Sequence, residues 1–202
     1  MYIVGLTGNV AAGKSAVARI WREAGVPVVS ADELAREAVA PGSSGLEAVV
    51  EEFGPHLILE DGTLDRPALR TRVFGDPEAR RKLEEILHPR IQDLRDAWLD
   101  AQDEKGEPLV VAEIPLLYEV AAQGEVDGVV LVDAPEPLRL DRMMAHRGLT
   151  REESLQIMAA QMDPRAKRRQ ADWILENDGS LELLHQRAER LLESIRREVG
   201  GS

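Results

Sequence analysis

The chain contains no cysteine, and aromatic residues make up only 3% of it. Neither a disulfide framework nor a thiolate metal site can therefore be built from it. It has no run approaching 18 uninterrupted apolar residues, so no membrane span is expected. Basic charge is not in surplus either. The net charge of −12 argues against bulk nucleic-acid binding, since phosphates favour a basic surface. The first residues run straight into an apolar segment, with no basic n-region and no apolar stretch ending in a cleavage site. A cytoplasmic protein that engages neither nucleic acid nor membrane is the expectation. What is present is enough apolar material, 44% of 202 residues, to bury a full core as one domain with embellishments.

The negative charge is unevenly spread. From Leu138 to Gln170 eight basic residues (Arg139, Arg142, Arg147, Arg151, Arg165, Lys167, Arg168, Arg169) face four acids (Asp141, Glu152, Glu153, Asp163). A basic segment on an acidic protein is either a phosphate-facing element or a solvated helix face, and charge alone leaves both open.

Apolar patterning alternates between strand and helix. "YIVGL" (2–6), "VPVVSAD" (26–32), "PLVVAEI" (108–114), "VDGVVLVDA" (126–134) and "ADWILEN" (171–177) read as strands separated by helical stretches. That alternation predicts crossover connections and a mostly parallel sheet covered on both faces. Residues 33–105 break the rhythm, with helical patterning and no convincing strand over a stretch far longer than one βα unit needs. They read as a helical insertion, in which Pro89 is expected to interrupt the last helix and push His88 out of helical geometry. A second helical insertion covers 138–169, with Gly148 closing its first helix and Thr150 and Glu153 forming a capping box on its second. The expected core is 1–32 with 106–137 and 170–202. Trp98 and Trp173 fall on core-facing positions, and Trp21 on a helix face.

The stretch "VGLTGNVAAGKSAVARI" (4–20) fits G-x-x-x-x-G-K-[ST] between a strand and a helix. Such a loop converges backbone N–H groups on phosphate oxygens at a helix N-terminus. Gly8 and Gly13 occupy the positions where the backbone turns or approaches phosphate. Lys14 reaches the β- and γ-phosphates, and the Ser15 hydroxyl holds Mg²⁺. Asn9 stands where a left-handed backbone is tolerated, and Ala11 and Ala12 keep the amides accessible. Thr7, Val10 and Ala16 complete the expected ATP-binding run.

The chain shows no Asn/Thr-Lys-x-Asp guanine-reading signature and no strand-borne Asp-Glu pair of a large ATPase. A compact core with an acceptor-binding insertion and an Arg-rich lid matches a small-molecule kinase. Asp32, closing the second strand, is placed to accept an acceptor hydroxyl's proton, or else it N-caps the helix that follows. Glu113, closing "VVAE", is either an acid reaching Mg²⁺ through water or an anchor for a neighbouring helix.

In order along nearly the whole chain, "VGLTGNVAAGKS", "VVSADELAREAVAPGSSGLEAVVEEFG", "DGTLDRPALRTRVFGDPEARRKLEEILHPRI", "IPLLYE" and "LTREESLQIMAAQM" resemble the dephospho-coenzyme A kinase family. The resemblance implies a P-loop NTPase-type α/β fold, a parallel sheet with flanking helices, a helical acceptor-binding insertion and a helical lid. It implies ATP- and Mg²⁺-dependent phosphorylation of the ribose 3′-hydroxyl of dephospho-coenzyme A, the last step of coenzyme A synthesis. By resemblance, Asp32 is the catalytic base and Arg142 stabilises the transferring phosphoryl group. Asn177 lies near the adenine, and His88, Leu117 and Tyr118 lie near the acceptor. A monomer is expected. The chain departs from the family where His146 stands in place of a second lid Arg, and where Asn9, Ala11 and Ala12 replace preferred loop residues. The rival readings are another P-loop nucleoside or nucleotide kinase and a non-catalytic nucleotide-binding module.

Overall fold

The computed structural model describes residues 1–201, which form two compact units: Met1–Ser30 with the chain from Gln102 onward, and Ala31–Ala101. The first unit carries a five-stranded sheet in the order β2-β3-β1-β4-β5. Its strands are β1 (Tyr2–Thr7), β2 (Val28–Ser30), β3 (Leu109–Glu113), β4 (Gly128–Asp133) and β5 (Trp173–Glu176). Every pairing is parallel, with Leu6 opposite Glu113 on one side of β1 and Leu6 opposite Val130 on the other. β3 is buried along its whole length, as the β-branched runs of a two-sided parallel sheet require. β2 is shorter than its sequence suggests. Helix α2 (Ala31–Glu37) begins directly after Ser30, so Asp32 lies in a helical first turn and not in the strand.

Helices α1 (Lys14–Glu23) and α9 (Leu181–Gly200) cover the sheet, burying Val17, Ile20 and Trp21 with Leu184, Ala188, Leu192 and Ile195 against Val4, Leu6, Val130 and Val132. Trp21 is the centre of this layer. It is fully buried, and its indole N–H donates to the Ala188 carbonyl at 2.9 Å. Removing 150–250 Å² of Trp surface from water corresponds to about 4–6 kcal/mol of transfer free energy. Trp98 and Trp173, which patterning assigns to the core, are only partly buried. Trp173 sits on edge strand β5 and packs over Gly128, where a Cβ would lie 2.6 Å from the indole ring.

Three further helices of this unit, α6 (Glu136–Arg147), α7 (Arg151–Ala159) and α8 (Pro164–Arg168), follow β4. Gly148 ends α6 in a left-handed conformation. Thr150 and Glu153 form the expected capping box at α7.

The second unit holds α2, α3 (Ser44–Phe53), α4 (Arg66–Val73) and most of α5 (Pro77–Glu104). Its core is Val39, Leu46, Val49, Phe53, Leu57, Leu64, Leu69 and Ala79. The Asp-Gly-Thr turn is built locally. Gly62 takes a φ of +81°, and the Asp61 carboxylate accepts from the Thr63 N–H at 2.9 Å and its hydroxyl at 2.6 Å.

Pro89 does not interrupt α5, which runs unbroken from Pro77 to Glu104. An interior proline removes one hydrogen bond and costs about 3 kcal/mol. Here the Arg90 guanidinium donates to the Ile86 carbonyl at 2.6 Å within the disturbed turn, while Leu83, Ile86 and Leu87 pack on the unit's core. His88 and Pro89 are both exposed, and His88 stays helical.

Candidate active site at the phosphate loop

Parallel strands present their C-terminal ends along one edge, and the loop from Gly8 to Gly13 leaves that edge from Thr7. Both glycines are required by contact. A Cβ at Gly8 would run into the Val132 carbonyl oxygen, and one at Gly13, where φ is +104°, would run into the Asn177 carboxamide nitrogen. The left-handed non-glycine residue is Ala11, with φ +59°, and not Asn9. Asn9 is buried and aims its amide at the Met162 carbonyl, 3.4 Å away. The left-handed conformation costs Ala11 about 1–2 kcal/mol.

Helix α1 starts at the end of this loop and, like α6 but unlike five other helices, has no side-chain cap; α6 at least carries Glu136 in its first turn. Ser43, Asp65, Thr150, Asp163 and Ser180 each cap a helix with a side-chain oxygen. The N-cap of α1 is Gly13, with no side-chain cap and no acid in the first turn. The first N–H groups of an α-helix lack intrahelical acceptors, and with the helix dipole they favour an anion. Lys14 arches over the loop, its ammonium donating to the carbonyls of Gly8 at 2.8 Å and Asn9 at 3.2 Å. Ala16 is partly buried one residue into the helix beyond Ser15.

Ser15 is exposed, and its hydroxyl donates to Glu113 Oε1 at 3.0 Å. Glu113 is buried at the end of β3, opposite Leu6 on one side and Ser30 on the other. The structure therefore brings together the two residues expected to serve the metal. Thr7 is fully buried, with its hydroxyl 3.5 Å from the Pro115 carbonyl.

Arg142, on α6, spans the outer side of the loop. One guanidinium nitrogen donates to the carbonyls of Ala11 at 3.2 Å and Ala12 at 3.5 Å, and another to Asn177 Oδ1 at 3.2 Å. Asn177, just past β5, is buried and returns its amide to the Ala12 carbonyl at 2.7 Å. Arg142, Asn177 and the loop thus form one bonded unit, in which Arg142 holds the carbonyl of the strained Ala11 and the one after it.

The remaining expected residues fall elsewhere. Asp32 is exposed in the first turn of α2, where the N-cap alternative does not apply because the helix begins one residue earlier. Leu117 is fully buried, filling the space over Gly5, and Tyr118 is buried beside Ala122 and Val129. As placed, neither offers a surface to an acceptor. The exposed apolar side chains of that segment are Leu116 and Val120. The Tyr118 hydroxyl has no hydrogen-bond partner among the described residues. Burial, then the Asp172 carboxylate, pushes its pKa up to about 12.

His146 and Arg147 are both exposed in the last turn of α6. Within the basic run, Lys167 is fully buried 2.7 Å from Glu119, and Arg168 bridges Asp133 and Glu176. Arg165 and Arg169 are exposed. Two of the four charges are therefore structural.

Nothing in the sequence around Gln161 marks it as part of the site. Its side-chain oxygen accepts the Val10 N–H at 2.7 Å, across 151 positions of sequence.

The sequence model of the family described as dephospho-CoA kinase matches residues 2–182. A protein of Anaeromyxobacter dehalogenans named dephospho-CoA kinase is 44% identical over 97% of this chain and 93% of its own. One of the same name from Geobacter sulfurreducens is 41% identical over 95% and 97%. Among solved structures, dephospho-CoA kinase from Campylobacter jejuni superposes with a TM-score of 0.68 at 26% identity, over 96% of each chain. A shikimate kinase from Bacteroides thetaiotaomicron, at 16% identity and TM-score 0.53 over 96% and 98%, shares the fold alone.

Proposed function

The chain belongs to the dephospho-coenzyme A kinase family, and from that premise we propose how its residues divide the work of phosphorylating dephospho-coenzyme A with ATP. The reaction moves the γ-phosphoryl group of ATP to the ribose 3′-hydroxyl of the acceptor. The observation that carries the assignment is the uncapped start of α1, with Lys14 arched above it and Ser15 bonded to buried Glu113. The loop Gly8–Gly13 and the first turn of α1 take the phosphates. Lys14 exchanges its two carbonyl partners for phosphate oxygens.

Ser15 and Glu113 fit Mg²⁺, pairing an exposed hydroxyl oxygen with a buried carboxylate. Among the described residues no cluster of three acids or histidines could hold a metal, so most of the ion's oxygen ligands would have to come from phosphate and water, as suits Mg²⁺. Bound there, Mg²⁺ offsets charge on the β- and γ-phosphates.

Asp32 acts as the base. It follows by two residues the end of β2, whose last residue Ser30 is in register with Glu113. Its carboxylate accepts the 3′-hydroxyl proton as oxygen bonds to phosphorus and the bond to ADP breaks. Arg142 and Asn177 fix the loop and border the nucleotide. In the first unit the acceptor contact comes from Leu116, exposed where Leu117 and Tyr118 are not; in the second unit His88, exposed on α5, is the acceptor-side candidate.

The test is ADP release coupled to a spectrophotometric readout, with dephospho-coenzyme A compared against nucleoside monophosphates. Turnover confined to dephospho-coenzyme A is expected; preference for a nucleoside monophosphate would overturn the acceptor assignment, and no acceptor-dependent ADP would point to a binding module. Asp32→Asn is expected to lose most turnover with ATP affinity nearly intact, and near-normal turnover would remove Asp32 from the chemistry.

A further inference from the structure

A strained loop persists only when its surroundings over-determine it. Ala11 is the strained residue, and its downstream side is held by Arg142 on the Ala11 and Ala12 carbonyls. Its upstream side is held by a separate device. The Val10 N–H points out of the loop and is received by Gln161 Oε1 at 2.7 Å. Next to Gln161, the Met162 carbonyl faces the Asn9 amide at 3.4 Å, and the Met162 N–H donates to Glu119 Oε1 at 3.1 Å. That same oxygen lies 2.7 Å from the ammonium of fully buried Lys167. The Val10 side chain, meanwhile, packs among Leu140, Met143 and Met158. Two consecutive residues past α7 therefore grip two consecutive loop residues, and a buried ion pair anchors that grip.

Burial raises the Glu119 pKa, but the Lys167 ammonium and the Met162 N–H outweigh it and hold the carboxyl below its usual range. The anchor is thus a carboxylate at working pH. The Val10 N–H belongs to the peptide plane between Asn9 and Val10, so the bond to Gln161 fixes the backbone immediately ahead of Ala11.

We propose that Gln161 is a positioning residue for nucleotide binding, holding the phosphate loop in its strained form through the Val10 N–H, with Glu119 and Lys167 fixing where it stands. It touches neither substrate; it acts through the loop. The proposal rests on the phosphate-loop reading above. Without the carboxamide oxygen, ATP must order the loop itself, so affinity falls while chemistry in the filled site is preserved.

The experiment uses the full chain carrying Gln161→Met, which keeps length and removes the acceptor, and Gln161→Glu, which keeps an acceptor oxygen. Calorimetric ATP titration, kcat, both KM values and Tm are measured. For Gln161→Met the ATP Kd and KM should rise about tenfold, with kcat and the dephospho-coenzyme A KM within about twofold of wild type. Gln161→Glu should lie closer to wild type than Gln161→Met. In the second arm, Glu119→Gln should weaken ATP binding in wild type and add little in the Gln161→Met background, as expected of residues acting in series.

Unchanged ATP affinity in Gln161→Met overturns the proposal. So does a Gln161→Glu variant as impaired as Gln161→Met, or a parallel loss of kcat, both KM values and Tm. Additivity of the Glu119 and Gln161 effects overturns the role of the anchor. Failure of the wild-type chain to bind ATP would overturn the phosphate-loop reading itself, a result separable from all of these.

Discussion

Adding one methyl group at Gly13 tests the loop and its brace together. At φ +104° an L side chain costs about 1–2 kcal/mol before any contact is counted. The new Cβ would also collide with the Asn177 carboxamide and drive it off the Ala12 carbonyl, to which it donates at 2.7 Å. A buried polar group left without its partner costs about 1–3 kcal/mol. Gly13→Ala is therefore expected to destabilise by about 2–5 kcal/mol, which for a chain of this size lowers Tm by about 4–20 °C. ATP affinity should fall with it. Scanning calorimetry and ATP titration measure the two effects, and a double-mutant cycle with Asn177→Ala separates their causes. Removing the carboxamide opens the space the methyl group needs, so the double variant should lose about 1–3 kcal/mol less than the sum of the single ones. Additive losses would refute the steric argument, leaving backbone strain as the whole effect. A Gly13→Ala protein with wild-type Tm and ATP affinity would refute both.

Two further expectations follow from single side chains. On the proposed reading Lys14→Ala removes a charge-assisted contact to phosphate, so ATP affinity should fall about 10–150-fold by titration; unchanged ATP binding would contradict the cradle. Tyr118→Phe removes a buried hydroxyl that has no partner among the described residues, so urea unfolding at pH 8 should show stability unchanged or raised by about 1–2 kcal/mol. Because the folded-state pKa of Tyr118 is raised to about 12, the stability linked to its proton is intact below the unfolded value near 10 and is lost as pH climbs through 12. Between pH 10 and 12 the phenylalanine variant should lose less stability than wild type.

The five strands were legible as short apolar runs: β2, β3 and β4 are buried almost throughout and leave little room for polar alternation, while edge strand β5 is only partly buried. The phosphate loop was legible because strand, glycines, Lys14 and Ser15 are contiguous in sequence. Its internal geometry was not. Which loop residue becomes left-handed depends on Arg142, Asn177 and Gln161, all more than 130 positions away, and Ala11 takes that role despite an unfavourable propensity. Pro89 misled for a similar reason: tertiary packing of Leu83, Ile86 and Leu87 outweighs a local helix break. Within Pro115–Glu119 the motif names a segment without saying which side chains turn inward. Only packing over Gly5 reveals that Leu117 fills the interior while Leu116 is left outside.

The order of the strands also constrains how the chain is made. β1 stands in the middle of the sheet, yet its partners β3 and β4 begin at Leu109 and Gly128. At the usual pace of translation, roughly 100 intervening residues take about 5–20 s to emerge. During that interval Tyr2–Thr7 is an apolar segment with unpaired edges on both sides, available to chaperones and to other nascent chains. Ala31–Ala101, by contrast, is contiguous and contains all the side chains of its own core, so it can condense while the central strand is still waiting. The phosphate loop, hinged on that strand, is made well before the strand's partners and is among the last segments to acquire its shape.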